Sequence, residues 1–184
     1  MSETLGPLPP AADALSRQAR CIALGRGEAL MRAGDLWENL WWIERGVLRL
    51  FYLDRDGHSA NKNFYLDGAL FWPVTPALAS EPIGFWVEAV EDSLVWALPW
   101  TRWQGVVQDF ARWQTFERGV LANLLQEKMQ REQHFLQRTA TQRYQDLKLQ
   151  HPDWAERIPL RQLASYLGVT DVALSRIRRR LNQG

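Results

Sequence analysis

The sequence predicts an α+β protein: a small N-terminal β-barrel or roll, then a long helix, then a compact all-helical C-terminal unit. Three observations predict it. Between Cys21 and Leu98, short apolar runs alternate with turn residues, the pattern of an antiparallel roll or barrel. From Ala111 to Gln137 no proline interrupts a stretch rich in Leu, Gln, Glu, Arg and Met, and Gly119 is its one weak point; such a run reads as one long helix. Beyond Pro159, two amphipathic segments meet at Gly168, which is the spacing of a helix-turn-helix.

Residues 1–20 open with Gly6-Pro7-Leu8-Pro9-Pro10 and continue into an Ala/Leu stretch, predicting a loose start and a short helix. Leu40–Ile43 and Val47–Leu53 flank Arg45-Gly46 and read as paired strands. Asp54-Arg55-Asp56-Gly57 is a hairpin turn, because Asp and Gly tolerate the positive φ such turns need. Further strands are expected at Asn61–Leu66, Ala69–Trp72, Trp86–Val90 and Leu94–Leu98, with turns at Asp67-Gly68 and Glu91-Asp92. After Pro99 the pattern turns helical. Trp100–Asp109 predicts a short helix, Ala111–Gln137 the long one, and Thr139–Gln150 a third that His151-Pro152 closes. Phe116, Val120, Leu121, Leu124, Leu125, Met129, Phe135 and Leu136 recur at three-to-four spacing, an apolar stripe on the long helix. The polar gap from Gln130 to His134 leaves that stripe an imperfect coiled-coil seam.

The most informative segment is Leu160–Leu181. Pro159 pre-sets a helix start, Gly168 ends that helix, and Thr170 is a good N-cap for the next. Leu163, Ala164 and Leu167 form the inner face of the first helix, against which Leu174 and Ile177 of the second would pack. That leaves Asp171, Val172, Ser175, Arg176, Arg179 and Arg180 facing outward. Arginine suits guanine edges and phosphates alike, and the second helix of such a motif enters the major groove. An ordinary helical hairpin has the same apolar pattern; the arginines on the outer face favour the nucleic-acid reading.

Charge supports a polyanion partner. The 184 residues carry a net charge of +1, but residues 155–184 hold six arginines against Glu156 and Asp171, so this tail is +4 and the rest −3. A solvated arginine-rich helix end is the plainer alternative. Hydrophobic residues at 46% and charged residues at 23% describe a globular chain. No apolar run reaches the ~20 residues of a membrane span, and Glu3 with no basic-then-apolar stretch argues against a secretory signal. A cytoplasmic protein with no membrane partner is expected. The lone Cys21 can form no intramolecular disulfide and holds no cluster by itself. His58, His134 and His151 lack ligand spacing and are expected at the surface, so no metal and no cofactor is implied. No convergent Ser/His/Asp set, paired carboxylates or phosphate loop is visible, and the chain is not read as an enzyme.

With these residues in view, the chain resembles the catabolite-activator/Fnr (Crp/Fnr) family of transcription regulators. Gly27-Glu28-Ala29-Leu30-Met31-Arg32-Ala33-Gly34-Asp35, then Leu40–Ile43 and Gly46–Arg49, look like the opening strands of its cyclic-nucleotide-binding-like domain. Arg157-Ile158-Pro159 through Ala164–Thr170 to Leu174–Arg178 is similar to its helix-turn-helix. The resemblance runs from about Ala19 to Leu181. It implies a double-stranded β-roll sensor domain over 1–109, a dimerisation helix over 110–137 and a helix-turn-helix domain over 138–184. It implies a homodimer through Phe116, Leu121, Leu125 and Met129, and double-stranded DNA bound by Arg161, Thr170, Asp171, Ser175, Arg176, Arg179 and Arg180.

Two departures qualify the resemblance. Where cyclic-nucleotide-binding members place a Gly-Glu pair and an Arg-Ser pair, this chain reads Phe71-Trp72-Pro73 and Pro82-Ile83-Gly84-Phe85. No arginine lies between Arg55 and Arg102, leaving Lys62 as the sole cation of that stretch. A buried phosphate would go unpaired there, so no response to cyclic AMP is expected. A small apolar effector in a pocket of Phe64, Phe71, Trp72, Phe85 and Trp86 is the alternative ligand. At the other end the sequence stops at Gly184, so the family's C-terminal β-wing is expected to be missing, and Val172 stands where many members place a base-reading glutamate. The expected function is therefore a dimeric, sequence-specific DNA-binding transcription regulator insensitive to cyclic AMP. The competing reading is a sensor or interaction module of the same fold that has lost DNA binding.

Overall fold

The computed structural model describes residues 19–106 and 110–182; the short helix expected before residue 19 lies outside them. Eight strands are formed: β1 (Arg20–Leu24), β2 (Ala29–Met31), β3 (Asn39–Arg45), β4 (Leu48–Leu53), β5 (Ser59–Tyr65), β6 (Leu70–Phe71), β7 (Trp86–Ala89) and β8 (Ser93–Pro99). They make two antiparallel sheets, ordered β1-β8-β3-β6 and β2-β7-β4-β5. The α+β roll predicted from the alternating pattern is the observed fold. Alternation decides which residues enter the roll: in β8, Ser93, Val95 and Ala97 are buried while Leu94 and Trp96 are half-buried.

Both sheets contribute to one interior. Ile43, Leu48, Val87 and Val95 are fully enclosed there. Trp37, from the loop after β2, plugs the space between the sheets, meeting Phe71 and Phe85 edge-on at 6.1 and 5.8 Å between ring centroids. Its indole N–H donates to the Asn39 carbonyl at 2.8 Å, so the polar handle is satisfied inside an apolar core. Gly46, at φ +120°, lets the chain pass between β3 and β4.

The helices are α1 (Pro76–Ser80), α2 (Trp100–Val106), α3 (Phe110–Gln137), α4 (Ala140–Gln150), α5 (Pro152–Arg157), α6 (Leu160–Leu167) and α7 (Asp171–Asn182). Among the described residues α1 and α5 are additions to the sequence reading. Pro76 and Pro152 were read as breakers, yet each sits in the first turn of its helix, where its missing N–H costs nothing. His151-Pro152 therefore closes α4 and opens α5. The long helix α3 spans 28 residues, about 42 Å at 1.5 Å per residue. Thr139 then starts α4 with a capping box, its side chain accepting from the Gln142 N–H while Gln142 reaches back to the Thr139 N–H.

Two further cores join the parts. Leu40, Trp72, Leu98 and Trp103 bind the roll to the start of the helical region, with Trp100, Trp113 and Phe116 packed on them. Val47, Phe64 and Val90 of the roll are continuous with Tyr144, Leu147, Trp154, Ile158, Leu163, Leu167, Leu174 and Ile177 of the C-terminal helices. The helical unit is packed on the roll through shared apolar core.

Candidate nucleic-acid interface

The interface begins with the turn between α6 and α7. Leu163 and Leu174 are completely buried against each other's surroundings, with Ala164, Leu167 and Ile177 close to it. Burying each of the two leucines contributes roughly 1.5–3 kcal/mol. Gly168 ends α6 at φ +67°, ψ +40°, and the Val169 N–H donates to the Ala164 carbonyl at 3.0 Å, closing the helix in a left-handed cap. Thr170 then caps α7, its hydroxyl accepting from the Ala173 N–H at 3.1 Å. Asp171 accepts the Val172 N–H at 2.8 Å and places its charge at the positive end of the helix.

With Leu174 and Ile177 turned inward, Asp171, Val172, Ser175, Arg176, Arg179 and Arg180 are exposed along α7. At 100° per residue these six cover about half of the helix circumference. Arg161 is exposed in the first turn of α6. Among the described residues, none of Arg161, Arg176, Arg179 and Arg180 makes an ion pair. An exposed arginine face with no carboxylate to satisfy it can offer its planar donors to phosphate or base edges.

Not every cation of the basic tail belongs to that face. Arg157 is spent inside the protein, paired with both Asp67 and Glu91 of the roll. Hydrogen bonds from these two carboxylates hold Arg157 yet more firmly protonated. Burial pushes the Asp67 carboxyl up, but the Arg157 guanidinium and the Gly46 N–H more than offset it and leave it below the usual range. Arg178 is half-buried.

The long helix divides its apolar residues between two duties. Leu121, Leu125 and Met129 are exposed, at 37, 62 and 58%, and Leu136 is exposed as well. Phe116, expected with them, instead stacks on Trp72 of its own roll, 5.9 Å away, and on Trp113. The first turns of α3 are thus anchored in cis, and the free stripe starts one turn later. Phe135 leans toward the helix-turn-helix, where Arg131 and Arg143 lie over its ring.

The five aromatic residues expected to line an effector pocket are not brought together. Phe71 and Phe85 belong to the roll interior with Trp37, and Trp72 belongs to the cluster under α3. Phe64 faces the C-terminal helices, 5.1 Å from Trp154 and 5.8 Å from Tyr166. Trp86 lies on the outside, stacked on Phe51 and bordering an open cleft with Glu28, Arg32 and Glu88. Alternation separates them, since residues adjacent in a strand point to opposite faces. The histidine expectation also needs correction. His58 is at the surface, on the hairpin tip beside Asp54 and Asp56, where Asp54 accepts the N–H groups of Asp56 and His58. His134 and His151 are half-buried, His134 near Asp146 and His151 stacked on Trp154 at 4.2 Å. Burial lowers the His151 pKa.

Sequence reasoning missed the residues that seat the helix pair on the roll. Asn61 of β5, buried at 3% exposure, donates from its backbone to the Ser165 hydroxyl and from its side chain to the Gln162 carbonyl, both at 3.0 Å. Ser165 in turn donates to the Ser59 carbonyl. Only the polarity of Asn61 within an apolar strand pattern hinted at this.

No described helix is long and apolar enough to cross a membrane. Residues 21–110 match the family model of the cyclic nucleotide-binding domain. A sequence search of curated proteins finds no match. Among solved structures, the chain is similar to FixK2 from Bradyrhizobium japonicum, with a TM-score of 0.77 and 21% identity over 90% of this chain and 85% of that one. It is similar to a mutant of CooA from Carboxydothermus hydrogenoformans, with a TM-score of 0.72 and 14% identity over 92% of this chain and 79% of that one. A third is CLP, a c-di-GMP responsive global regulator of Xanthomonas campestris, with a TM-score of 0.70 and 12% identity over 94% and 91% of the two chains. The chain is therefore Crp/Fnr-like in fold, with a cyclic nucleotide-binding-type domain at residues 21–110.

Proposed function

We propose that the protein is a dimeric, sequence-specific DNA-binding transcription regulator acting in the cytoplasm. The observation that carries this is the exposed, unpaired arginine face of α7 behind a capped helix-turn-helix. In this reading residues 1–109 form the roll domain, 110–137 the dimerisation helix and 138–184 the DNA-binding domain. Ser175 and Arg176, one turn into α7, reach base edges, with Asp171 beside them. Arg179 and Arg180 meet phosphates where α7 leaves the groove, Arg161 meets the backbone from α6, and Thr170 holds the start of the reading helix. Leu121, Leu125 and Met129 pair with the same residues of a second copy, which places two reading helices on two half-sites.

Cyclic AMP is not the effector in this reading. Phe71, Ile83 and Phe85 are buried around Trp37 in the roll interior, and the residues at the family's ribose and phosphate positions are apolar. Seating a phosphate among them would leave its charge unpaired. Calorimetry with cyclic AMP is expected to show no binding up to millimolar concentration.

The test of the DNA reading compares two alanine variants on two duplexes. One duplex is selected by the wild-type protein from a randomised pool and the other is a random sequence. Arg176→Ala is expected to lose on the order of 1–3 kcal/mol on the selected duplex and far less on the random one. Arg180→Ala should weaken both alike and reduce the salt slope by about one unit. Equal losses from Arg176→Ala on both duplexes would refute its base-reading role. Wild-type binding that ignores salt would refute DNA binding itself.

A further inference from the structure

Strand β5 is the edge of its sheet, paired only with β4. The register steps from Leu50↔Asn63 to Phe51↔Asn61, so Lys62 is the extra residue of a β-bulge. A free edge leaves backbone groups unpaired, and a bulge adds one more. Here the vacant positions are taken by helices. The Asn61 N–H donates to Ser165 Oγ of α6, and Ser165 Oγ donates to the Ser59 carbonyl. Arg131 of α3 donates to the bulged Lys62 carbonyl, to the Asn61 carbonyl at 3.3 Å and to the Tyr166 carbonyl of α6 at 3.0 Å.

Arg131 is half-buried, and among the described residues no carboxylate pairs with it. Its guanidinium lies 4.1 Å from the Tyr166 ring centroid. A planar cation with its donors on three carbonyls from two different parts of the fold sets an angle as well as a distance. The reading face of α7 stays uncovered while α6 is docked in this way.

We propose that the bulged edge of β5 is a latch through which Arg131 and Ser165, as positioning residues, hold the helix-turn-helix in one orientation relative to the roll and the long helix. The proposal rests on the reading of α7 as the DNA-reading helix. In a dimer, both reading helices must reach half-sites about 34 Å apart. A head that wanders lowers apparent affinity in proportion to the fraction correctly oriented. A single half-site imposes no such demand.

The experiment uses the full chain and three variants: Arg131→Ala, Ser165→Ala, and Arg131→Lys, which keeps the charge but not the planar fork. Each is titrated with the two-half-site duplex selected by the wild-type protein, and with the same duplex carrying one scrambled half-site. Amide hydrogen exchange is followed at Asn61 and across α7. Arg131→Ala is expected to bind the two-half-site duplex roughly tenfold more weakly and the single half-site nearly as wild type. Ser165→Ala and Arg131→Lys should fall in between, and the Asn61 amide should exchange faster while α7 keeps its protection. Unchanged binding to both duplexes overturns the latch. So do equal losses on both, which would mean damage to the reading unit itself. If the wild-type protein binds neither duplex, the DNA reading fails and the exchange data decide the contact alone. Faster Asn61 exchange with α7 intact sustains the docking role, and unchanged exchange removes it.

Discussion

Replacing Gly46 by alanine places a methyl group where the roll has no room. A Cβ there would lie 2.1 Å from Ser93 Oγ, 2.5 Å from Ser93 Cβ and 2.7 Å from Ser93 Cα. The Cα belongs to the backbone of β8, so turning the serine side chain cannot relieve the overlap. Gly46 also holds φ at +120°, which costs an L-residue about 1–3 kcal/mol. Overpacking a closed site adds about 1–3 kcal/mol more. The expected loss is roughly 3–5 kcal/mol, close to a third or more of a typical domain's stability. Urea unfolding followed by tryptophan fluorescence should show the midpoint falling by more than about 1 M, given a slope of 1–3 kcal/mol per M. Adding Ser93→Gly to Gly46→Ala should recover the overlap part and leave the backbone strain. A loss below about 1 kcal/mol, or no recovery in the double variant, would refute the reasoning.

Gly168→Ala should cost less, about 1–2 kcal/mol, although the residue holds φ +67°. Its Cβ would meet the edge of the Phe135 ring at 2.8 Å, and that ring is 42% exposed and can move; the same urea titration measures it. Leu121→Asp with Leu125→Asp should convert the proposed dimer to monomer, read by light scattering at tens of micromolar, and a dimer unaffected by both would exclude this face. Acidification should loosen the contact of Arg157 with the roll. Because the folded Asp67 carboxyl titrates below the usual range, its stabilising effect is complete above pH ~4 and is lost as pH falls through the lowered value. Asp67→Asn should remove that part of the pH dependence in unfolding measured between pH 7 and pH 2, and an identical pH profile would argue against it.

The helix-turn-helix was legible because its signals are local. Gly168, Thr170 and the spacing of Leu163, Leu167, Leu174 and Ile177 lie within fifteen residues, and each has one cheap structural solution. The roll was legible for the same reason, strand by strand. The contacts between the two were not. Ser165 and Asn61 are 104 residues apart, and a serine on a helix or an asparagine in a strand suggests no partner. Counting charge misled in one respect, since Arg157 entered the basic tail yet its charge is consumed by Asp67 and Glu91. Aromatic residues misled in another. Phe64, Phe71, Trp72, Phe85 and Trp86 are close in sequence, but the strand period and the turn at Pro73 send them into different cores.

The two kinds of contact that join the helix pair to the roll do different physical work. Val47, Phe64 and Val90 share a core with Leu163, Leu167 and Trp154, and that burial supplies attraction without direction, because apolar contact tolerates sliding and rotation. Hydrogen bonds weaken steeply when their angle opens. The bonds from Ser165 and Arg131 to β5 are therefore the part of the interface that can specify an angle, and they fall on backbone atoms that no side-chain substitution within β5 removes. A proline at Asn61 would delete the one edge N–H that Ser165 accepts. The orientation of α7 is thus written into the sheet edge itself, while the apolar core decides only that the two parts stay together.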